Sequence, residues 1–265
     1  MFRSIFTKTL YSLWWPLFGW SLAIMGVAFI TMALYPSFSQ AGIENVVNSI
    51  PESLKSFVGN VDDFKSIPGF IGQQIFGPNL YIIGIIMAIF VFLSVSANEE
   101  SDGRLQTLLS FPVSRTNVFF QKYLAAALVV TIASISVIVA VWMGLLSIGE
   151  TANYSRIWQS IASFTLINLA YGTLAFATSF FTGSKGVTIL VASAYTAASI
   201  LIASLAPAVS SLEDISKGSL LYFYNNPQIM TNGINGEHTA LLVVVIIGLL
   251  VIGWSRFVKR NVYSS

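Results

Sequence analysis

Cysteine is absent from the 265-residue chain, and histidine occurs only once, as His238. The missing thiols exclude disulfide bonds, thiolate metal sites and cysteine nucleophiles, and a lone imidazole leaves little scope for a metal site. Charge is also scarce, because charged residues make up 9% of the chain. A soluble domain carries about a quarter. We therefore expect no metal site, and the composition is unlike that of a soluble protein.

Apolar residues are abundant, at 55% of the chain, with a mean hydropathy of +0.77. A helix needs about 20 apolar residues to cross the hydrocarbon core of a bilayer. Six runs qualify, near 14–35, 79–97, 119–147, 157–181, 187–208 and 239–257. No polar stretch is long enough to fold as a second, soluble domain. The sequence therefore predicts an all-α polytopic membrane protein, with residues 1–265 forming a single transmembrane domain of six helices.

A short amphipathic pattern precedes the first apolar run. Arg3 and Lys8 face away from apolar residues that recur at helical spacing, namely Phe2, Ile5, Phe6, Leu10 and Leu13. This pattern is typical of an interfacial helix that lies on the membrane lipid. The alternative is a first span that simply begins earlier. Tyr11, Trp14, Trp15 and Trp20 would then form an aromatic belt at the membrane surface.

The distribution of positive charge predicts the orientation. An even number of spans puts both termini on one side, and that side would carry nine of the 13 Lys and Arg residues: Arg3, Lys8, Arg104, Arg115, Lys122, Lys185, Arg256, Lys259 and Arg260. Because cytoplasmic loops are enriched in Lys and Arg, we predict a multi-pass protein of the cell membrane with both termini cytoplasmic. The formal net charge of +2 reflects this asymmetry rather than affinity for nucleic acid.

Two long connections fall on the other side of the membrane. Residues 36–78 are predicted to form a large extracytoplasmic loop. Residues 209–238 contain the aromatic stretch 220–227, which is too apolar to extend freely into water and too short to span. Two interpretations of this stretch remain open: a re-entrant segment that dips into the bilayer, or a helix lying on its surface.

Residues 98–116, the polar insert, separate the second and third predicted spans. Glu99, Glu100 and Asp102 would open a short helix, where the helix dipole favours acids. We expect the next residues to form one amphipathic rod, with Leu105, Leu108 and Leu109 on one face, Pro112 at its end and Ser114 or Thr116 capping the next helix. Such a rod can lodge in a groove of a cytosolic protein. The alternative is an ordinary, solvated cytoplasmic loop.

The insert also carries a recognisable motif. Glu99-Glu100-x-x-Gly103 is followed by Leu105-x-x-Leu108-Leu109-Ser110-x-Pro112-Val113-Ser114-Arg115 and then by Lys122. This run strongly resembles the signature of the type 2 ABC-transporter permease family, although Arg104-Leu105-Gln106 departs from the Thr or Ser and acid that are usual after the glycine. The resemblance implies that the insert is a cytoplasmic coupling helix seated on an ATPase. Its coupling residues would be Glu99, Glu100, Gly103, Leu105, Leu108, Leu109, Pro112 and Arg115.

The chain itself has no Gly-x-x-x-x-Gly-Lys-Ser/Thr loop for ATP phosphates. Gly183-Ser184-Lys185-Gly186 lacks the required spacing, and we interpret it as a tight cytoplasmic turn. No cofactor or catalytic residue is therefore expected in this chain, and ATP and Mg²⁺ would bind a partner. The resemblance implies two cytosolic ABC ATPase subunits and a second permease, identical or related. It also favours an exporter, and the absence of a buried acid or base near the middle of any span favours hydrophobic, peptide or drug-like cargo.

Small residues in the fifth run suggest where two permeases meet. Ser193, Ala194, Ala197, Ala198, Ser199 and Ala203 form overlapping small-xxx-small pairs that let helices approach closely in lipid. Close packing within one subunit is the alternative. The family resemblance, in which the fifth span borders the dimer seam and the substrate path, favours a permease dimer.

Two other functions compete with transport. Glu99-Glu100-Ser101-Asp102-Gly103-Arg104 fits the Glu-Glu-x-x-x-Arg pattern of CAAX-type intramembrane proteases, but those enzymes need further histidines and His238 is predicted on the opposite side of the membrane. We therefore predict that the chain is not an enzyme. A membrane scaffold or immunity protein that binds a toxin without transport remains open on the sequence.

Overall fold

A computed structural model describes residues 4–40, 66–207, 209–224 and 226–261. Regular structure within these ranges is entirely helical. Six of the helices are long and apolar enough to cross a membrane, which confirms the prediction of a multi-pass helical membrane protein. Spans 1 to 6 are Trp14–Ala33, Pro78–Ser94, Arg115–Ile135 with its continuation Val137–Ile148, Tyr154–Thr182, Lys185–Leu205 and Gly236–Lys259.

Shorter helices connect the spans. The N-terminal helix is Ile5–Ser12, and Tyr35–Gln40 follows span 1. The α-helix Ile67–Phe70 and the π-helix Ile71–Ile75 precede span 2, and Ala97–Ser101 and Arg104–Leu109 follow it. Before span 6 come Ser210–Leu212, Glu213–Ser216, Leu220–Phe223 and Asn226–Asn232.

The structure differs from the predicted outer loop at 36–78 over the last residues of that loop. Residues 41–65 lie outside the described residues. Ile67, Phe70, Ile71 and Ile75 are helical and buried in the hydrophobic core. The last part of this predicted loop therefore belongs to the helical bundle, because its apolar side chains pack against the spans.

Span 4 lies at the centre of the bundle and contacts spans 2, 3, 5 and 6. Two glycines permit close approach to it. A Cβ at Gly253 in span 6 would lie 2.9 Å from the Cα of Ala177, and a Cβ at Gly172 would overlap the ring of Phe92 in span 2. Any side chain at either position would push the helices apart, so these glycines set the spacing of the core.

Spans 1, 5 and 6 form the rim. Only 17–22% of the residues in their apolar windows are buried, whereas two thirds of those in spans 2 and 4 are buried. Exposed apolar helix faces of this length suit contact with lipid or with another membrane chain.

Four parts of the chain meet at one end of the bundle, here called the insert end. The N-terminal helix packs there on span 3, and the backbone N–H of Phe6 donates a 2.8 Å hydrogen bond to Gln121 Oε1. The polar insert, the Gly183 turn between spans 4 and 5, and Arg260 after span 6 also lie there. The start and the end of the described chain thus lie at the same end of the bundle, as the predicted even number of spans requires.

Candidate functional site

The polar insert consists of two short helices rather than one rod. Ala97–Ser101 ends at Asp102, and Arg104–Leu109 begins after Gly103. Gly103 has φ +73, a left-handed conformation that glycine adopts without strain and that breaks the helix. Arg104–Leu109 ends before Pro112. Ser114 then caps span 3 by accepting a 3.2 Å hydrogen bond from the N–H of Asn117, which confirms the predicted cap.

The leucines of the insert face the bundle rather than the solvent. Leu105 is only 1% exposed, and Leu108 and Leu109 are partly buried against the hydrophobic core. The expected exposed leucine face is therefore used for packing within the chain. The outward side of the insert carries Asp102, Arg104, Thr107, Ser110, Phe111 and Pro112. Phe111 is 61% exposed and is the large apolar side chain on that side.

Two acids of the insert form ion pairs with distant parts of the chain. Glu99 pairs with Lys122 of span 3, whose side chain is only 2% exposed. Glu100 pairs with Arg260, whose Nη2 donates hydrogen bonds of 2.6 and 2.8 Å to the two carboxylate oxygens. The third acid, Asp102, pairs with Arg104 at the surface. The first two pairs anchor the insert to spans 3 and 6, and the exposed pair adds little.

Arg115 links the start of span 3 to the end of span 6. Its Nη1 donates hydrogen bonds to the carbonyl oxygens of Phe257, at 3.1 Å, of Val258, at 3.4 Å, and of Arg260. The last carbonyls of a helix lack intrahelical partners, and an arginine side chain can satisfy them. Arg115 therefore caps span 6 from within the motif that was predicted to contact an ATPase.

An aromatic layer lies beneath these charges. Phe119 of span 3 packs against Phe176 and Phe180 of span 4, with ring centroids 5.0 and 5.2 Å apart. Phe180 in turn lies 4.5 Å from Phe257 of span 6. Such tilted and edge-to-face pairs add to the stability of burial alone. A packed aromatic layer therefore joins spans 3, 4 and 6.

The small residues of span 5 divide between two faces. Ser193, Ala194, Ala197 and Ala198 are exposed on the rim of the bundle, Ser199 is 2% exposed, and Ala203 is partly buried. The first four leave a smooth strip on the outer face of span 5. Ser199 contributes to packing inside the chain.

The opposite end of the bundle holds His238 and a small cavity. The cavity has a volume of about 240 Å³ and is lined by Ser163 of span 4, by residues 223–235 in part, and by His238 and Thr239 at the start of span 6. Along span 6, the 22 residue-to-residue steps from His238 to Arg260 extend about 33 Å at 1.5 Å per step. His238 is therefore far from Glu99 and Glu100. Across the described ranges, no group of three or more His, Cys, Asp or Glu residues could hold a metal ion.

Comparison with known proteins places these features in a family. A family model described as "Protein of unknown function (DUF2705)" matches residues 56–263. The chain belongs to the DUF2705 family. The DUF2705 match includes spans 2 to 6, the whole polar insert and Arg260, and it leaves the N-terminal helix and span 1 outside. No curated protein and no solved structure matches the chain.

The insert end also includes residues that were not among the predicted coupling residues, notably Phe111, Gly183 and Arg260. Phe111 stands in the quoted motif at a position that the motif leaves unspecified. Arg260 was recognised only as one of the basic residues after the last span, and its partner lies 160 positions away. Its placement on the Gly183 turn follows from the packing of spans 4 and 6, which no local pattern reveals.

Proposed function

We propose that this chain is the permease subunit of an ABC transporter and that its polar insert is the docking point of a separate cytosolic ATPase. The main support for this proposal is the insert itself. It is a pair of short helices held by two ion pairs at one end of a six-span bundle, and its outward side is exposed. A rigid projection of this kind can transmit the movement of a bound protein into the spans. The resemblance of residues 99–122 to the type 2 permease signature supports the same assignment.

The docking surface in this proposal is the outward side of the insert, with Phe111 as its anchor. Leu105, Leu108 and Leu109 pack within the chain and act as the foundation of that surface. A single exposed aromatic ring among small polar neighbours suits an apolar pocket on a protein partner, because aromatic anchors dominate binding energy at interfaces. The exposed pair of Asp102 and Arg104 would lie at the rim of the contact.

In this proposal, the acids of the motif have a structural role. Glu99 and Glu100 neutralise Lys122 and Arg260, and they hold the insert in place. Water activation by these carboxylates, as in a protease, would require them to be released from their ion pairs. The lone histidine, at the other end of span 6, could not take part. We therefore assign no catalytic residue to this chain and place ATP and Mg²⁺ on the partner.

The complete transporter in this proposal contains two permeases and two ATPases in the cell membrane, with the insert end and both termini cytoplasmic. The exposed strip of Ser193, Ala194, Ala197 and Ala198 on span 5 faces the second permease. The N-terminal helix lies at the membrane interface, where Tyr11, Trp14 and Trp15 are exposed to lipid. Hydrophobic, peptide or drug-like molecules are the proposed export cargo.

Purification of the tagged chain from its native membrane in a mild detergent tests the proposal. We expect a nucleotide-hydrolysing subunit to copurify, and we expect Mg²⁺-dependent ATP hydrolysis in the purified complex. The Phe111→Asp variant should lose that subunit and that activity, because a charge would replace the apolar anchor. Tyr154→Asp is the matched control, since Tyr154 is an exposed aromatic residue at the start of span 4.

Two outcomes would contradict the proposal. One is a wild-type chain that purifies from active membranes without any ATP-hydrolysing partner, which would favour a scaffold or immunity protein. The other is a Phe111→Asp variant that retains the partner as well as the Tyr154→Asp control does.

A further inference from the structure

Arg260 occupies the junction of three separate parts of the chain. Its guanidinium holds both carboxylate oxygens of Glu100 in the polar insert, at 2.6 and 2.8 Å. Its backbone carbonyl accepts a hydrogen bond from Arg115 at the start of span 3. Both side chains of the ion pair are largely buried, at 15% exposed for Arg260 and 8% for Glu100. One nitrogen, Nη2, donates to both oxygens, and such charge-assisted hydrogen bonds are shorter and stronger than neutral ones.

The third part is the turn between spans 4 and 5. Gly183 has φ +71, and a Cβ added to it would overlap the Arg260 guanidinium. Nη1 of Arg260 therefore occupies the space that the Cβ of any other residue at position 183 would fill. This contact orients the arginine side chain towards Glu100, and it brings the Gly183 turn, the insert and the end of span 6 together.

We propose that Arg260 is the positioning residue of the polar insert, and that its ion pair with Glu100 and its contact with Gly183 make the insert move with span 6 and the turn between spans 4 and 5. The consequence for docking rests on the proposed function. Movement imposed on the insert would reach span 6 through this side chain, in addition to the covalent path into spans 2 and 3, the Glu99–Lys122 pair and the packing of Ala97–Ser101 on spans 4 and 5. Arg260 would thus contribute to coupling without touching the partner.

Neutralising both members of the pair separates positioning from simple stability. The Glu100→Gln/Arg260→Gln variant removes both charges and leaves neither one buried alone, so its thermal midpoint should stay near that of the wild type. The charged contact between Arg260 Nη2 and the Glu100 carboxylate is nevertheless lost. We expect hydrogen exchange of the amides in 97–109 to rise by roughly tenfold, and the dissociation constant for the ATPase subunit to rise by about the same factor.

A glycine pair provides the matched control for the turn. Gly183→Ala and Gly149→Ala place alanine at the same left-handed conformation, with φ +71 at both positions. A Cβ at Gly149 meets nothing within 4 Å, whereas one at Gly183 would displace Arg260. Both variants should lower the thermal midpoint through backbone strain. Only Gly183→Ala should raise exchange in 97–109.

The outcomes distinguish this inference from the proposed function. The positioning role would be overturned if the amides of 97–109 exchanged at the wild-type rate in the Glu100→Gln/Arg260→Gln variant. It would also be overturned if these amides exchanged equally fast in the two glycine variants. If no ATPase subunit binds the wild-type chain, the proposed function fails. The exchange measurements on the purified chain still decide whether Arg260 positions the insert.

Discussion

Lys122→Met should destabilise the protein strongly, and the buried ion pair sets the size of the effect. The side chain of Lys122 is 2% exposed and that of its partner Glu99 is 15% exposed. Methionine keeps the apolar stem of lysine and removes its charge, so the carboxylate of Glu99 remains in a poorly solvated position without a partner. Removing one member of a buried pair costs about 3–5 kcal/mol.

The double variant Lys122→Met/Glu99→Gln distinguishes the cost of an unpaired Glu99 charge from the cost of replacing the lysine side chain. It removes both charges, and replacement of a buried pair by uncharged residues is often close to neutral. We expect it to recover most of the stability that the single variant loses. For a chain of this size a change of 1 kcal/mol moves the thermal midpoint by about 2–4 °C, so the single variant should melt roughly 10 °C below the wild type.

Thermal unfolding of the purified chain in detergent, followed by the fluorescence of its six tryptophans, measures both variants. Equal midpoints for Lys122→Met and the double variant would refute the reasoning. That result would mean that Glu99 is not left as an uncompensated charge when the lysine is removed, so the pair would not anchor the insert.

Two further predictions concern the spans. Gly172→Ala should lower stability by about 1–3 kcal/mol in the same thermal assay, because a Cβ there overlaps Phe92. Gly248→Ala, with open space around its Cβ, should be neutral or slightly stabilising. Equal effects of the two substitutions would contradict the close packing of spans 2 and 4. In the cysteine-free chain, Ser193→Cys on the exposed strip of span 5 should form crosslinks between two copies in native membranes, and the buried Ser199→Cys should not. Crosslinking at Ser199 alone would exclude the proposed dimer face.

The spans and their ends follow from local patterns in the sequence. Long apolar runs predict all six spans, and Ser114 caps span 3 as expected because a serine just before a helix can accept a hydrogen bond from a free backbone N–H. The break at Gly103 also has a local cause, although the expected single rod did not include it. A glycine between two short helical stretches permits the left-handed conformation that separates them.

The direction in which the insert faces could not be predicted in the same way. The spacing of Leu105, Leu108 and Leu109 places them on one helix face, but it does not reveal whether that face meets a partner or the chain itself. Tertiary packing decides this, and here the three leucines pack against the hydrophobic core of the bundle. The partners of Glu99 and Glu100 are likewise set by long-range contacts, 23 and 160 positions away.

Site-specific photo-crosslinking from position 111 in intact cells tests the central claim most directly. A photoreactive phenylalanine analogue in place of Phe111 keeps an aromatic ring at the exposed tip of the insert. We predict a crosslink to a cytosolic protein that hydrolyses ATP with Mg²⁺, and no such product when the analogue replaces Tyr154 at the other end of the bundle. Crosslinks from position 111 to lipid alone, or the same product from both positions, would contradict the docking of an ATPase on the polar insert.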